Sequence, residues 1–362
     1  MRASTGRIHA FDWLRGVAVV VMIQTHSLVL LQKGLEKDTF FSWLVRVDGL
    51  VAPSFIFSSG FALALVQVRA ALAGGSRKAQ ALKTLKRIGE VLLVASLVNT
   101  IWFHAWREPK WLLRLDILHC IGLALLSALP FLVGLASRPQ VLRWVMLGLA
   151  ALVFGFSPLT ENVTGLASIF VNTRVGALDD SLGTTFALFP WAGYVFLGAS
   201  FGATVGMMQK EIQLWRWLGL LWLFGASLWA TDGFWRDVYP AHHFWETNPA
   251  NAAQRWTLVL SVIAVFRVIE VRVPTSPRSR LAALIGTFGA SSLSAYFFHE
   301  MLLYEHHVGI FTRLFRERCD WVTYWPVLAA LVFSTWLCVK AWERIDPRLR
   351  ALFAKHRPAV TS

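Results

Sequence analysis

The chain has 362 residues, 56% of them hydrophobic and only 15% charged, with 18 Trp. That balance excludes an ordinary soluble enzyme and indicates an all-α, polytopic membrane protein embedded in a lipid bilayer. A formal charge of +14 raises nucleic acid as a partner, but the charges sit where membrane topology puts them, so no nucleic acid is expected.

The first apolar stretch, RIHAFDWLRGVAVVVMIQTHSLVLL over residues 7–31, is long enough to cross a membrane. It nevertheless carries Asp12, Arg15, Gln24, Thr25 and His26. Asp12 and Arg15 are three apart, share a helical face and can pair. Eleven residues, about three turns, separate Arg15 from His26, which returns to nearly the same face roughly 16 Å deeper. Polar groups at such depth usually face protein or a wet cavity, so this face is expected to line a polar interior. The Asp12–Arg15 interruption, with no small-residue cleavage site after it, argues against a cleaved signal peptide.

Ten apolar segments can be read along the chain, at about 11–31, 50–68, 88–106, 117–136, 141–157, 184–206, 213–230, 256–273, 287–304 and 323–342. With ten spans, 22 of the 35 Lys and Arg fall on the side of the two termini and 12 on the other, Arg15 lying within a span. Positive charge marks the cytoplasmic side, so both termini are expected there. The whole chain, 1–362, reads as one membrane-embedded domain.

Span two carries Pro53 and Ser58-Ser59-Gly60, a small-residue packing face or part of a cavity lining. The basic loop before span three ends on Arg87, beside Glu90; a guanidinium there suits phosphate at the cytoplasmic mouth. Asn99 and His104 lie toward the outer end of span three, followed by Arg114, Asp116 and His119 at the start of span four. Asp116 and His119 share a face, so the carboxylate can hold the imidazole in one tautomer or simply cap the helix. The outer loop 158–183, with Glu161, Asn162, Arg174, Asp179 and Asp180, reads as a solvated or recognition loop.

Span six opens with Pro190, expected to bend or open the helix, and then repeats Gly198, Gly202 and Gly206 as a close-packing ridge. Its G-x-S-x-G string lacks the strand–turn–helix setting of a nucleophile elbow, so Ser200 is rejected as a nucleophile. Loop 231–255 is rich in rings (Trp235, Tyr239, Phe244, Trp245, with His242 and His243) and reads mainly as an interfacial belt. In span nine, Leu303 stands where H-E-x-x-H needs its second His, which excludes a zinc-protease helix. His299 lies within that span and is expected to face the interior, whereas Glu305, His306 and His307 mark the outer interface. Cys120, Cys319 and Cys338 form no disulfide or metal spacing, so no metal is expected. The tail from Lys340 is basic and suits anionic lipid.

Asp12-x-x-Arg15-Gly16, with ten residues between Arg15 and His26, resembles the first helix of the transmembrane acyltransferase superfamily. RLDILHCIGLALL (114–126), FPWAGYVFLGASFG (189–202) and SLSAYFFHE (292–300) are similar to its heparan-alpha-glucosaminide N-acetyltransferase catalytic branch, related to bacterial membrane sugar O-acyltransferases. The animal heparan enzymes of that branch have Asn in place of His26 and their key His further on; residues 27–48 here contain no His, so the role passes to His26.

The resemblance implies an integral protein of the bacterial inner membrane. It would move an acyl group, by default acetyl, from cytoplasmic acyl-CoA to a carbohydrate hydroxyl or amine outside. His26 would be the general base or the acyl carrier. Arg15 would orient cofactor phosphate or hold the helix through Asp12, and Arg87 would meet cofactor phosphate. His119 beside Asp116 would rival or help His26, and His299 would face the cavity. A proton-coupled transporter or flippase using the Asp12/Arg15/His26 face is the rival reading.

Overall fold

The computed structural model describes residues 8–102, 115–161, 163, 167–171, 186–272, 280–304 and 309–355. The helices among them are α1 (His9–Ser27), α2 (Thr39–Asp48), α3 (Val51–Leu72), α4 (Arg77–Trp102), α5 (Ile117–Gly134), α6 (Pro139–Thr160), α7 (Ser168–Val171) and α8 (Leu188–Met207). They continue as α9 (Glu211–Ala230), α10 (Asp232–Val238), α11 (Phe244–Thr247), α12 (Pro249–Arg272), α13 (Arg280–Ala290), α14 (Ser292–Tyr304), α15 (Ile310–Phe315) and α16 (Trp321–Lys355). No strand occurs among the described residues, and each of the ten expected apolar segments contains helix.

Seven of the described stretches are long and apolar enough to cross a membrane: His9–Leu30, Thr39–Leu72, Ile117–Gly134, Pro139–Thr160, Leu188–Met207, Pro249–Arg272 and Trp321–Arg348. The other three expected spans have visible reasons to differ. Helix α4 begins with the basic run from Arg77 to Arg87, α9 mixes Arg216 and Gln213 with four Trp, and span nine is broken at Ser291 into α13 and α14. Large apolar side chains also stand exposed on the helix exteriors, among them Leu93, Leu223 and Phe333. Such surface belongs against lipid rather than water.

The chain folds into two compact units, residues 1–14 with 49–275 and residues 15–48 with 276–362. In the first, α8 is the central element, buried along nearly its whole length, and it packs on α3 and α6. Glycine permits the closeness: a Cβ at Gly198 would collide with the backbone of Phe57, and one at Gly60 with the backbone of Val195. The Gly60 contact accounts for the small-residue run of span two as a packing face. Phe189 departs from helical geometry, so regular helix runs from Pro190, as the proline leads one to expect.

Two stretches expected to lie between spans contain helix. Residues 39–48 form α2, and the aromatic segment 231–255 folds into α10, α11 and the first turns of α12. The signal there is local: Asn248 accepts from the Ala250 amide at 2.8 Å, and Pro249 follows it at the start of the helix. Asn before Pro is a helix-start pair.

In the second unit, α14 packs on α16 and α13. A Cβ at Gly16 would strike the carbonyl of Ile285, which gives the Asp-x-x-Arg-Gly motif a packing reason for its last residue. A substitution series tests the role of close glycine packing in unit one. Gly198→Leu is expected to cost about 1–3 kcal/mol or to prevent folding. Gly219→Ala, whose new methyl meets nothing within 4 Å, should be neutral or stabilising by up to about 1 kcal/mol. Thermal midpoints and monodispersity in detergent are the readout.

Candidate active site

Helix α1 brings His26 to α14, and the contacts between them fix the register of the two helices. Arg15 Nη2 donates to Ser292 Oγ at 3.1 Å near the start of both. Eleven residues later, His26 Nδ1 lies 2.9 Å from His299 Nε2 and 2.6 Å from Glu300 Oε1. Early meets early and late meets late, so the helices run parallel. Tyr304 at the end of α14 donates its hydroxyl to the His26 carbonyl at 2.7 Å.

His299 and Glu300 are fully buried, while the His26 side chain keeps 26% of its surface exposed. His299 Nε2 lies 3.2 Å from Glu300 Oε1, closing a triangle with His26 Nδ1. On its far side, His299 Nδ1 stands 3.0 Å from the carbonyl of Ala295. A carbonyl only accepts, so this nitrogen carries a proton, and in the neutral ring Nε2 presents a lone pair. The carboxylate of Glu300 is close to both rings, yet neither of its oxygens receives a hydrogen bond of good geometry. Asp48, from the end of α2, lies within electrostatic reach of His26. Tyr296 and Tyr304 set their rings edge-on to the His26 ring, at 6.4 and 6.5 Å between centroids.

The end of α1 is tied down from α16. Tyr324, fully buried, pairs with Ser27 Oγ at 2.8 Å and donates to the Gln24 carbonyl at 3.1 Å. These bonds position the turn that carries His26.

Of the residues singled out in the sequence, Arg15, His26 and His299 belong to this unit, and His26 meets His299 directly. Asp12, Arg87, Asp116 and His119 belong to the other one. Asp12 lies 4.0 Å from His9 Nδ1. Arg87 stands exposed on α4. Asp116 is the N-cap of α5, accepting from the amides of Leu118 and His119 at 3.0 and 3.3 Å. The His119 ring closes the box by accepting from the Asp116 amide at Nδ1, 3.4 Å away, so the pair caps the helix. His104, Arg114, Asn162, Arg174, Asp179, Asp180, Glu305, His306 and His307 lie outside the described residues.

Glu161 differs from the solvated residue expected. Its carboxylate, only 4% exposed, accepts from the His243 amide at 2.9 Å and from the Thr247 hydroxyl, fastening the end of α6 to α11. Glu300 and Asp48 are the site residues that the sequence did not single out. Both stood in view, but nothing local ties Glu300 to a histidine 274 positions away.

Two imidazoles beside a fully buried carboxylate, carried by apolar helices, form a polar site of the kind that membrane proteins keep away from lipid. Comparison with known families makes this specific. The model of the family described as heparan-alpha-glucosaminide N-acetyltransferase, catalytic, matches residues 7–228, more than half of the chain. The chain belongs to that family and is a membrane acetyltransferase by class. No curated protein matches the chain. The family match includes His26 and ends before His299 and Glu300. Removing the Tyr324 hydroxyl tests the support of the site: Tyr324→Phe should lower stability by about 1 kcal/mol, read as a reduced thermal midpoint in detergent.

Proposed function

We propose that the protein transfers an acyl group, by default acetyl, from cytoplasmic acyl-CoA to a hydroxyl or amine of a carbohydrate on the extracytoplasmic side, with His26 as general base. The observation that carries this reading is the 2.6 Å approach of the buried Glu300 carboxylate to His26 Nδ1, on a chain of acetyltransferase family. A carboxylate at Nδ1 orients the ring and compensates the positive charge gained when Nε2 takes a proton. His299 stands behind His26 as a second positioning group.

The acceptor oxygen or nitrogen attacks the thioester carbonyl, and its proton passes to His26 Nε2. The new C–O or C–N bond forms as the C–S bond breaks, and the proton returns from His26 to the departing thiolate of coenzyme A. Arg15, one face and about three turns from His26, suits a cofactor phosphate as a bidentate donor; the exposed Arg87 has the same chemistry. The chain would work as one embedded domain in a bacterial inner membrane, with both termini in the cytoplasm, where acyl-CoA is made. Family membership favours this over a proton-coupled carrier.

Protein in detergent or vesicles, given labelled acetyl-CoA and a mixture of glycan acceptors, tests the proposal. His26→Ala, measured on protein shown to be inserted and folded, should lose about 10²- to 10⁴-fold in transfer rate. Full activity in that variant would overturn the assignment. Arg15→Ala, checked for folding, should weaken coenzyme A binding; unchanged binding would remove Arg15 from the cofactor site.

A further inference from the structure

We propose that His26 Nδ1, His299 Nε2 and the Glu300 carboxylate form a binding site for one divalent transition-metal ion, with zinc the best fit. The three atoms stand 2.6, 2.9 and 3.2 Å from one another. Metal–ligand distances of about 2.0–2.2 Å in a tetrahedron place neighbouring donors roughly 3.3 Å apart. Outward shifts of a few tenths of an ångström therefore open the triangle to an ion.

Proton counting supplies the second argument. In its neutral form His299 commits its one ring proton to the Ala295 carbonyl, so Nε2 offers a lone pair. Both oxygens of the fully buried Glu300 are without a well-formed hydrogen bond. A neutral His26 can supply a single proton, at Nδ1, to two acceptors that both face it. A dication satisfies all three atoms at once, and Asp48 nearby adds to the negative field.

The donor chemistry selects the ion. Two imidazoles disfavour magnesium and calcium, which prefer oxygen. Two His and one Glu with a fourth position open is a zinc donor set. The Ala295 carbonyl does for His299 what outer groups do for metal-bound histidines, setting the tautomer and aiming the ring. No sequence spacing announces the site, because His26 and His299 are 273 positions apart.

Occupancy has a consequence that rests on the general-base reading. With an ion on Nδ1, the ring proton of His26 resides on Nε2, the atom that must accept the acceptor's proton. Zinc therefore competes with catalysis and stops transfer reversibly.

The full-length protein is purified in detergent, stripped with chelator and dialysed against Zn²⁺ or Co²⁺. Metal per chain is measured by mass spectrometry, and Co²⁺ by its visible absorption bands. Wild type and a His242→Ala/His243→Ala control, which removes surface imidazoles, should each retain one ion. His299→Ala and Glu300→Gln, checked for monodispersity, should lose at least about tenfold in affinity. Micromolar Zn²⁺ should halt acetyl transfer and EDTA should restore it. Wild type that retains no ion and shows no cobalt bands overturns the site, whatever the variants do, and so does equal retention by wild type and both variants. Stripped protein that is inactive until zinc is added would keep the metal site and overturn His26 as a free base. An inactive His26→Ala in a chain that binds no ion would do the reverse.

Discussion

The contact between the Glu300 carboxylate and the two imidazoles governs the second unit. A carboxylate removed from water costs several kcal/mol unless a positive or proton-donating partner is held against it. Glu300 has no exposed surface, and its near partners are rings carried by α1 and by its own helix. Helix α1 must therefore keep its depth and rotation against α14, or the carboxylate loses the His26 ring that faces it. The surrounding bonds read as devices for holding that register: Arg15 to Ser292, Tyr304 to the His26 carbonyl, Tyr324 to Ser27, and Gly16 against the Ile285 backbone.

The first unit achieves its cohesion by other means. Helix α8 is buried on all sides and approaches α3 through glycine, so backbone meets backbone without side chains between. In a membrane, where apolar side chains gain little by leaving lipid, such close packing supplies much of the attraction between helices. Carboxylates at helix ends do related work. Glu270 accepts from the first amides of α1 at 2.8 and 3.1 Å, Asp116 caps α5, and Glu161 ties α11 to α6. Negative charge at a helix start satisfies amides that the helix itself leaves unpaired.

Much of this was legible in the chain of letters, and the rest was not, for physical reasons. Apolar runs report helices in lipid directly, so the segments were readable. Their ends were less so, because α2 and α10 are short helices that bury no residue, so no core-facing stripe marks them. His26 stood out because an imidazole deep in an apolar stretch has few bland explanations, and His299 for the same reason. Glu300 did not, because its meaning depends on a ring 274 positions earlier, and periodicity carries no information about which helices become neighbours. Asp116 and His119, attractive as a catalytic pair by spacing, are accounted for by capping; the same i, i+3 geometry serves both uses.

The central claim is that His26 and Glu300 act as one unit in acyl transfer. Rates of labelled acetyl transfer for wild type, His26→Ala, Glu300→Ala and the double variant, all checked for folding, test it most directly. Groups that work together give a double variant no slower than the worse single one, and that is the result expected here. Independent losses that multiply, or a Glu300→Ala protein as fast as wild type, would contradict the account.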